Sequence, residues 1–361
     1  MALTEFASSD SQAVKLFSKM TFRESIRGTF INKFLGTDKK SIITRHMDLE
    51  KSAGDQIKYD LLVKTAGSGV TGNNWMEDNE APMVYYQDSI NIDQLRQAHT
   101  FDRMSQQRTI HNMRKDAKEN LTDWWADTLD TYMFRSLCGD TTFSHASNTG
   151  ADPDTDHYIV CGDVSHTGTI ATDEGNLSDN DQFDLMDLDY AKEKARTISP
   201  MIRPAKIDGA EYYVAVLHDY SMTDLKVSTN SSATIKWSDI QQYANVRGLK
   251  NPIFSGANGV YNNIILFDSN RILSSANAAT AGTVRRNLFL GCQAGAFAIG
   301  NAYAKMDRSG LGDLPMSWAE NIRDFGDKKG ISAGMVFGVK ATRYNSKNYG
   351  CMVMTAYSAF H

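Results

Sequence analysis

The amino-acid sequence predicts a mixed α+β fold in which an extended two-stranded arm and one long helix stand apart from an α/β remainder. Three observations carry this. In Ile57-Lys58-Tyr59-Asp60-Leu61-Leu62-Val63-Lys64 apolar side chains fall mostly on alternate positions, and Val84, Tyr86, Ile90 and Ile92 keep that period on the way back. Directly after them comes a run in which apolar residues step by three and four with no Pro or Gly inside. From Leu188 onward, short helical and extended patterns alternate.

Residues 1–50 read as a mostly helical N-terminal arm. Thr21-Phe22-Arg23-Glu24 fits a capping box, and Phe22, Ile26, Phe30 and Phe34 recur every four residues until Gly36. One stripe of that helix wants a partner, which makes Phe30 and Phe34 candidate assembly contacts. Ser41 to Leu49 reads as a short extended segment.

Residues 51–100 form the arm itself. Gly67, Gly69 and Gly72 supply a flexible tip, with Trp75, Tyr85 and Tyr86 as aromatic contact candidates. An isolated hairpin of that length is marginal in water, so either the rest of the chain or a neighbouring copy must cover its apolar face. That requirement points to assembly rather than catalysis.

The spine helix and the segment after it occupy 101–187. Ile110, Met113, Ala117, Leu121, Trp124, Thr128, Tyr132 and Leu137 mark a helix from near Phe101 to near Gly139, about 35 residues and ~50 Å long. Arg103, Arg108, Arg114, Lys115 and Lys118 fill its first half and Glu119, Asp123, Asp127 and Asp130 its second, an order that opposes the macrodipole. Either each half meets an oppositely charged surface, which would make Arg108, Arg114 and Lys115 assembly contacts, or the charges are a solvated face. Asp140 to Asp184 is polar throughout and reads as a long surface insertion.

Residues 188–301 supply an α/β portion. A helix is expected around Leu188 to Ile198, a strand at Tyr212 to Leu217, a second helix from the box Ser238-Asp239-Ile240-Gln241 to Gly248, and a strand at Asn263 to Phe267. Small residues crowd Gly291 to Gly300 and permit close backbone packing. In 302–361, Ile331 to Arg343 and Tyr349 to Tyr357 read as strands joined by Asn345-Ser346-Lys347-Asn348.

Composition bounds the function. The 361 residues carry 38 Lys and Arg against 43 Asp and Glu, a net charge of -5, which disfavours a dedicated nucleic-acid coat. No apolar run is long enough to span a bilayer, and Met1 to Asp10 lacks the regions of a signal peptide, so the expectation is a soluble product of intracellular synthesis with no membrane partner. Cys138, Cys161, Cys292 and Cys351 are far apart, without Cys-x-x-Cys spacing, and read as buried free thiols.

Several motifs imitate chemistry without its context. Gly67-Ser68-Gly69-Val70-Thr71-Gly72 and Asp324-Phe325-Gly326 match kinase patterns, yet no Val-Ala-x-Lys strand or His-Arg-Asp loop accompanies them, and no helix opens after Gly72. Phe325 is expected to plug the adjacent core instead. Asp152-Pro153-Asp154-Thr155-Asp156 begins like a calcium loop, but His157 stands where Gly is required and Asp163 where Glu is usual. Gly330-Ile331-Ser332-Ala333-Gly334 matches a nucleophile elbow, with the strand on the wrong side and no later acid. Trp124-Trp125 reads as core. No catalytic residue, metal ligand or cofactor is indicated.

The order of these elements, with Phe34-Leu35-Gly36, the Gly67 to Gly72 tip, Trp124-Trp125-Ala126-Asp127, Arg247-Gly248-Leu249-Lys250-Asn251-Pro252, Leu290-Gly291-Cys292-Gln293-Ala294 and Gly330-Ile331 through Phe337-Gly338-Val339-Lys340, resembles tailed-phage major capsid proteins of the HK97 fold. It looks closest to the family typified by the N-four coliphage. The resemblance implies an icosahedral shell subunit in the virion, assembled in the bacterial host cytoplasm from hexamers and pentamers around double-stranded DNA. It implies 51–100 as the extended loop, the spine and 302–361 as a peripheral domain, and 188–301 as an axial domain. It implies as partners other copies of the chain, a separate scaffolding protein, a portal and a decoration protein, with the packaged DNA on the inner face. The rival readings are an encapsulin-like cellular nanocompartment shell, a tail or decoration protein and a nucleotide-binding enzyme.

Overall fold

Two sheets and a spine build the chain in a computed structural model that describes residues 11–47, 54–61, 69–80, 85–162, 174–207, 209–227, 259–275, 283–301 and 315–360. The first helix, α1 (Ser11–Gly28), passes straight through Thr21, where Ser25 Oγ donates to the Thr21 carbonyl at 2.7 Å. The capping-box pattern there therefore sits mid-helix rather than at a start. The helix stops at Gly28, not Gly36, and Phe30 and Phe34 flank a 3-10 turn, Ile31–Lys33. Tertiary packing explains the early stop: the Phe30 and Phe34 rings meet Phe267 edge-on at 5.8 and 5.2 Å.

One sheet has the order β1 (Leu35–Gly36), β2 (Ile43–His46), β14 (Gly295–Ile299), β16 (Lys328–Ala341) and β15 (Met316–Arg323), with β5 (Asp93–Asp102) also paired to β16. A second has β11 (Gly259–Tyr261), β12 (Ile264–Asp268), β10 (Ala210–Leu217), β13 (Val284–Leu290), β19 (Cys351–Tyr357) and β8 (Tyr158–Val160), with β9 (Ala205–Ile207) on β10. Three small hairpins complete the strands: β3 (Gln56–Leu61) with β4 (Tyr86–Asn91), β6 (Ser144–His145) with β7 (Asn148–Thr149), and β17 (Arg343–Tyr344) with β18 (Lys347–Asn348). The sheets interleave distant parts of the chain, because the C-terminal β19 lies inside the second sheet between β13 and β8.

The expected single long helix is two. Residues 101 and 102 belong to β5, whose ten residues pair with β16; then come α2 (Arg103–Arg108) and the spine, α3 (Met113–Leu137). Side-chain caps set the break. Asp102 accepts from Ser105 N–H at 2.7 Å, and Asn112 accepts from the N–H groups of Arg114 and Lys115 at 3.2 and 3.3 Å, the role short polar side chains play best. Ile110 lies in the break and is fully exposed. The spine spans 25 residues, about 37 Å. Its buried stripe is Ala117, Leu121, Trp125, Leu129 and Met133, so Trp125 takes the core position and Trp124 sits half-buried beside it. Gly139 ends it with φ +76°, and a Cβ there would lie 2.8 Å from Pro153 Cδ.

Alternation of side chains places the second sheet between two cores. Val214 and Val216 of β10 face the spine side, while Tyr213, Ala215 and Leu217 face α4 (Leu185–Thr197) and α5 (Asp219–Val227). A sheet buried on both faces needs continuous apolar strands, which is why β10, β12 and β19 show no polar alternation. The capping box of α4 is formed by Asp184 and Asp187. A helix from Ser238 to Gly248 falls outside the described residues.

The polar stretch 140–184 does not stay on the surface. Tyr158, Ile159 and Val160 are buried and pair parallel with Val353, Met354 and Thr355. Glu174 is buried as well, taking the Arg286 guanidinium at 2.8 and 3.0 Å and the Ser275 hydroxyl. Arg286 also donates to the carbonyls of Cys138 and Gly139 at 3.2 and 2.8 Å and to Asp152 at 3.0 Å. Multiple charge-assisted bonds are what make a buried ion pair tolerable.

Candidate assembly surfaces

The hairpin arm has a covered base and an uncovered end. At the base, Ile57, Tyr59, Leu61 and Ile90 pack on Ala296, Ala298 and Tyr349 of the same chain. Small side chains on that face of β14 leave room for the arm, while Phe297 and Ile299 of the same strand point toward the spine core. Approach is close at β16 too: a Cβ on Gly338 would lie 2.0 Å from the Asn91 carbonyl. The ammonium of Lys340 pairs with Asp88 at 2.5 Å, locking β4 to β16. Tyr86 stacks on Tyr344 with ring centres 3.7 Å apart.

Beyond that base the arm is open. Trp75 is 77 % exposed and Met76 and Tyr85 are exposed too. Gly69 and Gly72 have φ of +67° and +68° with nothing within 4 Å of a would-be Cβ, so backbone conformation rather than space calls for glycine. Gly67 lies outside the described residues.

Phe30 and Phe34 contact their own subunit. Asp130 of the spine accepts from the Phe30 and Ile31 N–H groups at 2.8 and 3.1 Å, and from Arg271 at 2.7 Å. These bonds pin the end of the N-terminal arm to the spine, and the Phe267 contacts pin it to β12. Sequence reasoning missed Asp130 in this role, because a carboxylate in an acidic helix half gives no sign of which one is buried.

The basic residues divide. Arg114 forks onto Glu320 of β15, with Nη2 to Oε1 at 2.6 Å and Nε to Oε1 at 3.0 Å, so its acidic partner is in the same chain. Trp318 Nε1 donates to the same carboxylate at 3.2 Å and Lys329 approaches it at 3.4 Å. Burial raises the Glu320 carboxyl, but these donors outweigh it and hold it below the usual range. Lys115 meets Glu119 one turn on, both exposed. Arg108 is exposed and forms no ion pair among the described residues.

The imitations of chemistry resolve into turns and strands. Asp324-Phe325-Gly326 is the tip between β15 and β16, with left-handed φ of 54°, 48° and 96°. Phe325 is fully exposed there, not a core plug: the tip projects past the sheet, leaving the ring nothing to enter. Ser332 lies within the antiparallel β16, donating to the Ala319 carbonyl at 3.3 Å, so no elbow exists. Each carboxylate of the calcium-like loop is engaged: Asp152 by Arg286, Asp154 by His157 at 2.8 Å and the Asn348 N–H, and Asp156 by Lys347. All four cysteines are buried free thiols, and burial pushes Cys138 up to about 12 and Cys292 to about 11, which leaves them unreactive.

Comparison with known proteins gives the family of the chain. A family model described as phage capsid protein matches residues 5–359. The major capsid protein of Pseudomonas phage KPP25 is 26% identical over 374 residues, 95% of this chain and 93% of that one. Among solved structures, the capsid of Ralstonia phage GP4 superposes with a TM-score of 0.77 at 27% identity, covering 92% of each chain. The cyanophage Pam1 capsid superposes at 0.72 with 20% identity, covering all of this chain and 95% of that one, a likeness of fold. Such neighbours place the architecture among HK97-type phage capsids.

Proposed function

Since the chain belongs to the phage capsid protein family, we propose that it is the major capsid protein of a tailed phage, the subunit that self-assembles into the icosahedral shell around double-stranded DNA. The observation that carries this reading is the arm: its base is built into the subunit, while Trp75 and Met76 between its strands, and Tyr85 beside the base, stand in solvent. A large aromatic surface held out on a hairpin is costly unless another chain covers it. The residues assigned to that contact are Gly67, Gly69, Gly72, Trp75 and Tyr85, with Arg108 on the receiving side. Phe30, Phe34, Tyr86, Arg114 and Lys115 support assembly indirectly, by holding the arm segments and the spine in place.

Within the subunit, the spine and the sheet of β5, β15 and β16 form the peripheral part, and the sheet around β10 with α4 and α5 forms the axial part. We assign the chain to the branch typified by the N-four coliphage on the sequence motifs that carry that resemblance. Its partners are copies of itself in hexamers and pentamers, with a scaffolding protein, a portal and a decoration protein; its place is the virion, after assembly in the host cytoplasm. The role is structural rather than catalytic. A cellular nanocompartment has weaker support, because the family match and the relatives above are phage capsids.

Sedimentation of the chain expressed with its neighbouring phage genes tests the proposal. Shell-sized particles containing this chain as their main component are expected, and deletion of residues 64–80 should leave soluble subunits or capsomers. Shells of normal yield and stability after that deletion would remove the arm from the account.

A further inference from the structure

We propose that a cavity at the junction of the two sheets binds a small phosphate monoester, with Lys40 and Arg203 as the groups that take the phosphate. The cavity has a volume of about 410 Å³, in the range of pockets that bury a nucleotide-sized molecule. Distant parts of the chain build it. Lys40 lies on the turn between β1 and β2, Met201, Arg203 and Pro204 on the segment from α4 to β9, and Lys206 on β9. Cys292, on the bend that carries the chain from β13 to β14, forms the floor. The cavity plays no part in the shell reading.

Its charges are unbalanced. Lys40 and Arg203 form no ion pair among the described residues. The carboxylate among the described lining residues, Glu211, lies 3.7 Å from Lys206, its cross-strand neighbour, and both side chains are exposed. Such a surface pair contributes little, so Lys206 can turn to an incoming anion with small loss. Of the acids near by, Asp60 is drawn to Lys39 at 3.9 Å and Asp38 sits on the Lys40 turn, and neither lines the cavity. Burial pushes the Cys292 thiol up to about 11 and raises the Tyr349 phenol; at both the Arg203 guanidinium acts the other way, joined at Cys292 by Lys40. Two cations from different parts of the chain thus face one spot.

The floor fixes the walls. Cys292 Sγ lies 3.0 Å from the Lys40 carbonyl and 3.2 Å from that of Pro204, so its single proton serves both. The Cys292 N–H donates to the Arg203 carbonyl at 2.7 Å, an approach that Gly291 permits, since a Cβ there would lie 2.4 Å from that oxygen. A site whose walls are set before binding loses less entropy when filled. A guanidinium fork beside an ammonium point charge suits a phosphate. A terminal phosphate carries about 1.5 to 2 negative charges at pH 7, enough for both cations, whereas a backbone phosphate carries one on a rod too wide to enter. Met201 and Pro204 add an apolar wall, and the polarizable thioether suits a planar ring.

Titration calorimetry of the unassembled chain with adenosine 5′-monophosphate tests this, with adenosine, inorganic phosphate and a short DNA duplex as comparison ligands. One mononucleotide per chain should bind with a Kd below about 1 mM, inorganic phosphate more weakly, and adenosine at least about tenfold more weakly. Lys40→Gln with Arg203→Gln should weaken mononucleotide binding by about tenfold or more, while Lys15→Gln with Lys19→Gln, the same loss of charge on α1, should leave it unchanged. Lys40 is exposed, so Lys40→Gln alone should keep the fold and weaken binding by about threefold or more. No saturable binding of the mononucleotide, equal binding of adenosine, or equal losses from the two double variants would overturn the proposal. Duplex binding that displaces the mononucleotide would make the cavity mouth a nucleic-acid backbone contact and overturn it too.

Discussion

Asp130, buried on the spine, accepts the backbone N–H of Phe30 at 2.8 Å across a sequence gap of 100 residues. One carboxylate thereby does three things: it caps the turn that ends the N-terminal arm, holds Arg271, and fixes the arm to the helix that organises both sheets. Replacing it by Ala leaves two N–H groups without their acceptor and takes from the Arg271 guanidinium one of its two carboxylate partners, Asp127 being the other. The expected cost is about 2–4 kcal/mol, with Asn less damaging because one oxygen remains. Chemical denaturation of the unassembled subunit measures it; equal stability of the Ala variant and the unaltered chain would show that the arm is held otherwise.

At the open end of the arm the expectation reverses. Trp75→Ser and Met76→Ser remove side chains that touch little in the subunit, so its denaturation midpoint should stay within about 0.5 kcal/mol of the original. Shell formation should nevertheless fail or weaken. A loss of subunit stability with normal shells would place these side chains in the core instead.

The tip at Phe325 makes a sharper contrast between pattern and structure. A buried ring there would cost about 3–5 kcal/mol on truncation to Ala. The exposed ring at φ 48° predicts almost no cost, and Phe325→Gly should be neutral or slightly stabilising because it releases a left-handed conformation that Phe resists. Thermal melts of the two variants decide this. A drop of several degrees for Phe325→Ala would mean that the ring is packed.

How much could be read beforehand follows from which forces are local. β10, β12 and β19 are continuous apolar runs, and α4 ends near Ile198, so those elements show in the residues themselves. The strand β13 does not, because Arg286 and Asn287 in its middle look like surface residues; only the fold supplies Glu174 to the first and Ser221 to the second. Similarly, the break before the spine depends on β16 holding residues 101 and 102 extended, a long-range pairing that overrides helix periodicity. Of the proposed assembly surface, the hairpin arm was legible from alternation and glycine. Its division into covered base and open end was not, since that is set by Ala296 and Ala298 lying beneath Ile57 and Ile90.

Acid should loosen the subunit through His218. Burial, with Arg285 nearby, pushes its imidazole down to about 4, and the Tyr220 N–H donates to Nδ1 at 3.1 Å, a bond that only the neutral ring with Nδ1 free can accept. Because the folded value lies below the ordinary 6.5, the unfolded chain takes up the proton first, and stability falls as pH drops from 6.5 toward 4. Between pH 7 and pH 5 this amounts to about 2 kcal/mol. Denaturation curves at the two pH values should show that loss in the original chain and a smaller one in His218→Gln; identical losses would exclude His218 as the cause.

The most direct test of the shell account is a density map of particles purified from cells that make this chain with its neighbouring phage genes. The account predicts a closed icosahedral shell built from many copies of this chain, with residues 69–80 of each copy seated against another. Particles in which the chain is a minor component, or shells in which that segment folds back on its own subunit, would contradict it.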